Sequence, residues 1–347
     1  MPDLLAGFSL LGLVIVFVLS ASAVAGAGIV LARSGDAIAE RTGLGGLVVG
    51  MFLLAGATSL PEIATDVSAA LADAPDLAVG DLFGSSMANM AILALIDLVY
   101  RGRVWPRVGL GQARLAAVAI ALTSVALLAL LVPRSFAIGW VGIETIIIVA
   151  GYLAATAWIH RTRRGGRQDH ERSGEVIAPI GWGEEATAGV PFRHVVVRFA
   201  LAAGVVLVAA PFVALSAEGI AAETGVGQTV VGTFLLAATT SLPELVASLT
   251  AIRIGAYDLA VGNLFGSNAF NMVALLAADL AYAPGPILAA VAPAQAVAGV
   301  GAILLMALAL AAVIHGTETR IRRLEPDAVG VLLVYFLLLG AVWVSTA

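Results

Sequence analysis

The sequence predicts an all-α polytopic membrane protein with ten transmembrane helices, arranged as two inverted five-helix repeats. Three observations predict it. Apolar residues make up 61% of the 347 and charged residues 12%, with a mean hydropathy of +1.03; a soluble domain has about 45–50% and about 25%. Residues 47–98 align with 229–280 at a constant offset of 182 without a gap, and more than half of the pairs are identical. All 18 basic residues other than histidine are arginine, and they crowd one set of alternate loops.

Apolar runs of about 20 residues, enough to cross the hydrocarbon core, follow one another along the chain. The first covers 6–32. Asp3, the lack of a basic residue ahead of the run, and the run's length argue against a cleaved signal peptide. The second, 43–72, is long and interrupted by Thr58-Ser59-Leu60-Pro61-Glu62. Runs at 77–99, 112–132 and 137–159 complete the first half. Residues 160–195 are rich in Arg, Gly, His and Glu. They are too few for a typical domain and read as a flexible loop. The second half repeats the plan with runs at 196–217, 226–252, 257–281, 287–314 and 327–346. Its second run is interrupted by Thr240-Ser241-Leu242-Pro243-Glu244. Three segments result: a first repeat, 1–159, a linker, 160–195, and a second repeat, 196–347.

Ten spans put alternate loops on opposite sides. Seventeen arginines then share one face and Arg134 stands alone on the other. The arginine face is expected to be cytoplasmic, with the 160–195 loop, which leaves both termini outside. Five spans per half is an odd number, so the second half must enter the membrane upside down relative to the first.

Composition also excludes chemistry. With no cysteine there are no disulfides or thiolate metal sites. His160, His170, His194 and His315 all lie in polar stretches, away from the apolar runs. No nucleotide-binding loop is visible, which argues against a primary pump. We expect no enzymatic activity, no cofactor and no nucleic-acid partner. The expected surroundings are the lipid bilayer and transported ions; nothing specifies an oligomeric partner.

The repeated residues include costly ones. Proline lacks an N–H and clashes with the carbonyl four residues back, so Pro61 and Pro243 free the carbonyls near Ala57 and Thr239, with those one turn earlier. Inside a membrane, freed carbonyls need a partner, and a cation can be one. Thr58, Ser59, Thr240 and Ser241 add hydroxyls, and Glu62 and Glu244 add carboxylates. Gly84-Ser85-Ser86-Met87-Ala88-Asn89 is matched by Gly266-Ser267-Asn268-Ala269-Phe270-Asn271. Ser85 and Asn89 share a helix face by four-residue spacing, as do Ser267 and Asn271. A lone serine usually bonds back to its own helix, and a lone small-residue pattern usually means packing. Mirrored carboxylates with no arginine in these spans are a different matter, because intramembrane acids default to function. The donor set is hard oxygen, suited to Na⁺, Ca²⁺ or Mg²⁺. One Ca²⁺ or two Na⁺ would neutralise the two glutamates.

The two motifs, 27 residues apart in both halves (Glu62 to Asn89, Glu244 to Asn271), resemble the alpha-repeats of the sodium/calcium exchanger family of cation/calcium antiporters. The likeness is to the prokaryotic type, without a large regulatory loop. The resemblance implies Na⁺/Ca²⁺ exchange by alternating access at a midplane site in a prokaryotic plasma membrane. It implies Glu62 and Glu244 as central acidic ligands. It also implies flanking sodium sites lined by Thr58, Ser59, Thr240, Ser241 and the Ala55 and Ala237 carbonyls. Ser85, Asn89, Ser267 and Asn271 would complete the ring. Family members slide their first and sixth helices across the rest, and here both are smooth and apolar. The sequence departs from the family in having Asn271 where many members have Asp, and Asp81 and Ser86 where Asn is usual. Asp66 lies one turn beyond Glu62, and Asp81 shares a face with Ser85. These two acids are candidates for an outer vestibule, an extra cation site or a proton-coupling site, or are solvated helix-end acids. Asp97 and Asp279 read as interfacial. The rival readings are a proton- or potassium-coupled divalent exchanger, a cation channel without a visible filter loop, and a non-transporting sensor.

Overall fold

The computed structural model describes residues 7–100, 104–109, 111–132, 136–163, 190–224, 240–315 and 326–346. Among these the chain is helical except for one short hairpin and its connections. Helix α1 is Leu10–Thr42, capped by the Ser9 hydroxyl, which accepts from Gly12 N–H, and closed by Gly43 in the left-handed region at φ +67°. Helix α2 is Gly45–Thr58 and meets α3, Leu60–Leu71, at a 47° bend. Then come α4, Pro75–Val99, α5, Gly111–Leu131, and α6, Ile143–Arg163. The second half holds α7, Phe192–Thr224, α8, Leu242–Arg253, α9, Tyr257–Ala281, α10, Ala296–His315, and α11, Pro326–Thr346. The sequence offset of 182 carries α1 onto α7, α3 onto α8 and α4 onto α9 with both ends matching.

Seven described helices are long and apolar enough to cross a membrane, or eight with the bent α2–α3 pair taken as one span. Within α6, a shorter apolar stretch covers Ile143–Ile159. The expected 226–252 span is described only in its second part, α8; residues 225–239 lie outside the described residues, as do 164–189 of the expected linker.

Several expected boundaries are corrected. The spans placed at 6–32 and 196–217 are 33-residue helices that continue to Thr42 and Thr224, about 50 Å long at 1.5 Å per residue. Hydropathy marked only their apolar stretches, while Arg33, Asp36, Glu40 and Arg41 prolong α1 as polar turns. The α7 helix also contains Pro211. The expected 137–159 helix starts late because Ala137–Ile138 pairs antiparallel with Val141–Gly142, around Gly139 at φ +69°. The expected 287–314 helix is broken into a single turn, Ile287–Ala290, a 3₁₀ turn, Pro293–Gln295, and α10. Proline at 293 has no N–H with which to continue a helix.

Asp97 and Asp279, read as interfacial, lie two residues from the ends of α4 and α9. Both are fully buried, and each accepts hydrogen bonds at the end of its helix. Asp279 accepts from the Gly142 N–H at 2.8 Å, the Thr145 hydroxyl at 2.7 Å and the Ile287 N–H at 2.7 Å. It pins the hairpin and the Ile287 turn to α9. Asp97 accepts from the Val104 N–H at 3.0 Å. Asp279→Ala would strand the Gly142 and Ile287 N–H groups, each at about 1–3 kcal/mol when buried, while the Thr145 hydroxyl keeps the Gly142 carbonyl at 2.9 Å. We expect a clearly lower melting temperature in detergent for Asp279→Ala, and little change for Asp76→Ala, whose carboxylate is exposed and accepts from the Ala292 N–H.

Two packing features position the interior. Helices α1 and α7 lie against each other and run antiparallel: Arg41, at the end of α1, donates to the Val190 carbonyl just before α7, while Gly219, late in α7, abuts Leu13, early in α1. On the other side, α2 packs on α9 through glycines, Gly46 and Gly50 against Leu259, Gly262 and Asn263, and Gly266 against Met51. Within this contact, α2 widens into a π turn at Gly50–Leu54, a feature frequent at functional sites.

Candidate cation-binding site

The two proline turns share one backbone conformation. Ser59 sits at φ −87°, ψ 5° and Ser241 at φ −83°, ψ 7°, and helix resumes at Leu60 and Leu242 with proline in the first turn. Proline suits that position, where its missing N–H would have had no helical partner anyway. Glu62 and Glu244 then fall in the first turn of α3 and α8, where the helix dipole favours a carboxylate. Both are buried, at 2% and 1% exposed. Each half's break faces the other half. The Ser59 hydroxyl donates to Glu244 Oε1 at 3.3 Å, and the Thr58 hydroxyl lies 3.3 Å from Asn263 Oδ1. Asn89 Nδ2 donates to Asn268 Oδ1 at 2.9 Å, and Asn271 Nδ2 to the Ser86 hydroxyl at 3.4 Å.

These contacts leave many oxygens over. Seven buried ones have no hydrogen-bond partner: Glu62 Oε2, Glu244 Oε2, Ser85 Oγ, Ser267 Oγ, Ser241 Oγ, Asn89 Oδ1 and Asn271 Oδ1. A buried polar group normally has a partner, and the orphan oxygens, at mirrored positions of both halves for Glu, Ser and Asn, are hard donors of the kind a cation takes. Hydroxyls elsewhere in these helices bond back to their own turn, as Ser20 does to the Val16 carbonyl, Thr123 to Ala119 and Ser216 to Phe212. Ser85, Ser241 and Ser267 do not. Glu62 and Glu244 lie close enough for their charges to interact. No arginine pairs with either among the described residues.

The residues named from the sequence come together with differences of detail. Thr58, Ser59, Ser85, Asn89, Thr240, Ser241, Ser267 and Asn271 are buried with the two glutamates. The Ala55 carbonyl is not freed by the break: it accepts from the Ser59 N–H at 2.9 Å and from the Thr58 hydroxyl at 3.2 Å. Ala237 lies outside the described residues. Asp66 is fully buried and Asp81 half-buried, so neither is a solvated helix-end acid. No group of three or more His, Cys, Asp or Glu side chains is poised on one metal ion among the described residues. A two-carboxylate site completed by hydroxyls and amides does not require one. Asn263, Asn268 and Ser248 belong to the same hydrogen-bonded interior as Ser86 and are not among the candidate residues read from the sequence. Mirroring would have found them, since Asn268 is the repeat mate of Ser86, Asn263 of Asp81 and Ser248 of Asp66.

The family profile described as sodium/calcium exchanger protein matches residues 12–159 and 194–344. The chain belongs to the sodium/calcium exchanger family. As a family member it is a membrane antiporter exchanging Na⁺ and Ca²⁺, and proton or potassium coupling is not favoured. Relatives of this exchanger include the putative antiporter CaxA of Alkalimonas amylolytica, 27% identical over 84% of this chain and 86% of that protein. The sodium/calcium exchanger MaX1 of Methanosarcina acetivorans is 22% identical over 70% and 75%. Among solved structures, the sodium-calcium exchanger NCX_Mj, soaked with 2.5 mM Na⁺ and 1 mM Sr²⁺, shares the fold of this exchanger. Its TM-score is 0.69 at 20% identity, covering 94% of this chain and 97% of that one.

Proposed function

We propose that this exchanger moves Ca²⁺ outward against inward Na⁺ by alternating access to one pocket between α2, α3, α4, α8 and α9. The observation that carries the reading is the set of seven orphaned, buried oxygens, a number within the six to eight that Ca²⁺ takes. Glu62 and Glu244 are the charged ligands; Ser85, Asn89, Ser241, Ser267 and Asn271 are the neutral ones. Ser59 orients Glu244, and Thr58 joins the ring when its hydroxyl leaves the Leu54 and Ala55 carbonyls. One Ca²⁺, or two Na⁺, balances the glutamate pair, so the ions displace each other. Asn271 keeps the count at two carboxylates.

In this reading the halves are inverted repeats in a ten-span protein of the prokaryotic plasma membrane, with the arginine face cytoplasmic and both termini outside. The antiparallel packing of α1 on α7 supports the inversion. These two helices would move as a pair; the Ser20 and Ser22 hydroxyls of α1 bond to their own turns.

The test is ⁴⁵Ca²⁺ flux into proteoliposomes of the full chain. An imposed Na⁺ gradient should drive Ca²⁺ movement, and a pH or K⁺ gradient alone should not. Movement driven by pH without Na⁺, or single-channel current without counter-ion coupling, would overturn the reading.

A further inference from the structure

A carboxylate presents oxygen at both ends, whereas an asparagine amide has an oxygen at one end and an N–H₂ at the other. Turned one way, Asn89 and Asn271 offer a cation a ligand. Turned the other way, they offer hydrogens that repel it. Two series of hydrogen bonds fix the direction, and each starts from a backbone carbonyl of α4, which can only accept. The first starts at the Ser86 carbonyl. Asn268 Nδ2 donates to it at 3.3 Å, so Asn268 Oδ1 is at the other end of that amide and accepts from Asn89 Nδ2 at 2.9 Å. Reversing Asn268 would set its oxygen against the Ser86 carbonyl oxygen. The Asn89 nitrogen is thus engaged, and its Oδ1 is the end without a partner among the described residues. The second series starts at the Leu82 carbonyl, one turn earlier. The Ser86 hydroxyl gives that carbonyl its single hydrogen at 2.8 Å. It can then only accept, and it does so from Asn271 Nδ2 at 3.4 Å. Asn271 Oδ1 is again the end left over. All four side chains are buried, so bulk water does not reset this order of donors and acceptors. Ser86 and Asn268 are repeat mates, as are Asn89 and Asn271, so each amide is held by a residue of the opposite half.

We propose that Asn268 and Ser86 are positioning residues that set the polarity of the cation pocket. They hold the amide nitrogens of Asn89 and Asn271 on the α4–α9 contact and leave both amide oxygens to the ion. They act through these amides and not on the ion itself. Removing either one frees an amide to turn its N–H₂ into the pocket. The inference rests on the central-site reading above, in which Asn89 and Asn271 are ligands, and the test separates the two.

Equilibrium ⁴⁵Ca²⁺ binding to the purified full chain in detergent, without Na⁺, gives an affinity for each member of two double-mutant cycles. One pairs Asn268→Leu with Asn89→Ala, the other Ser86→Ala with Asn271→Ala. Groups that hold a metal ligand in place are typically worth about 10–100-fold in affinity, and each of Asn268→Leu and Ser86→Ala should weaken Ca²⁺ binding by that much. Once the amide it orients is gone, each should change affinity by no more than about twofold. The same loss in both backgrounds would mean that Asn268 and Ser86 merely pack α4 against α9, and would overturn the proposal. Native affinity in Asn268→Leu and Ser86→Ala would overturn it too, with the central site still standing. Native affinity in Asn89→Ala and Asn271→Ala would instead overturn their place as ligands, and with it the reading beneath. If Asn268→Leu does not elute as a single species, Ser86→Ala, which removes one oxygen only, is read by the same criteria.

Discussion

Glu62→Gln and Glu244→Gln should each abolish Na⁺-driven Ca²⁺ uptake while leaving the protein folded. Glutamine keeps the size of glutamate and removes one of two charges. Ligand charge count and site rigidity together move calcium affinity over orders of magnitude, and a drop of about 100-fold is expected. Folding should survive, because Oε2 of both glutamates is without a partner, and glutamine can still accept the Ser59 bond made to Glu244 Oε1. The sign of the stability change is itself informative. A buried carboxylate without a counter-charge destabilises the ion-free protein, so the variants should melt at the same or a higher temperature without ions. Ca²⁺ stabilises only the form that binds it, so the rise in melting temperature on adding Ca²⁺ should vanish. Normal transport by either variant would show that the two-carboxylate site is wrong.

The candidate site was legible in the sequence because its residues are expensive. A glutamate, a proline and an asparagine inside apolar runs have no cheap explanation, and their recurrence at one offset marked Glu62, Glu244, Asn89 and Asn271 without any coordinates. Helix pairs α3/α8 and α4/α9 kept their register for the same reason. What remained hidden depended on tertiary contacts. The position of Asp97 and Asp279 near helix ends is visible in sequence, whereas the Gly142, Thr145 and Ile287 groups that fold over Asp279 come from other segments. The ends of α1 and α7 were missed because hydropathy reports the thickness of the hydrocarbon, not the end of a helix. The resemblance placed the Ala55 carbonyl at a flanking sodium site; in the structure the break falls at Ser59, and the Ser59 N–H still reaches back to Ala55.

Gly266→Ala should have the second large effect, and it should act through packing alone. A Cβ at residue 266 would stand 2.7 Å from the Met51 Cα and 3.0 Å from its carbonyl oxygen. Both are backbone atoms of the π turn and cannot swing aside. The reciprocal contact is as tight: a Cβ at Gly50 would lie 2.7 Å from the Leu259 carbonyl oxygen and 3.1 Å from the Asn263 nitrogen. Helices in lipid associate largely through close packing of small residues, so α2 and α9 must separate to admit the methyl group. Overpacking of this kind costs about 1–3 kcal/mol, and here it also opens the seam that sets Thr58 beside Asn263. Both Gly266→Ala and Gly50→Ala should therefore lower the melting temperature in detergent and reduce Ca²⁺ uptake far more than their size suggests. Gly56→Ala is the control. It lies on the same helix, but its added Cβ would meet Phe270 at 3.6 Å, an ordinary contact, and it should behave like the native protein. Equal effects of all three substitutions would mean that helix flexibility, rather than the α2–α9 contact, is what these glycines supply.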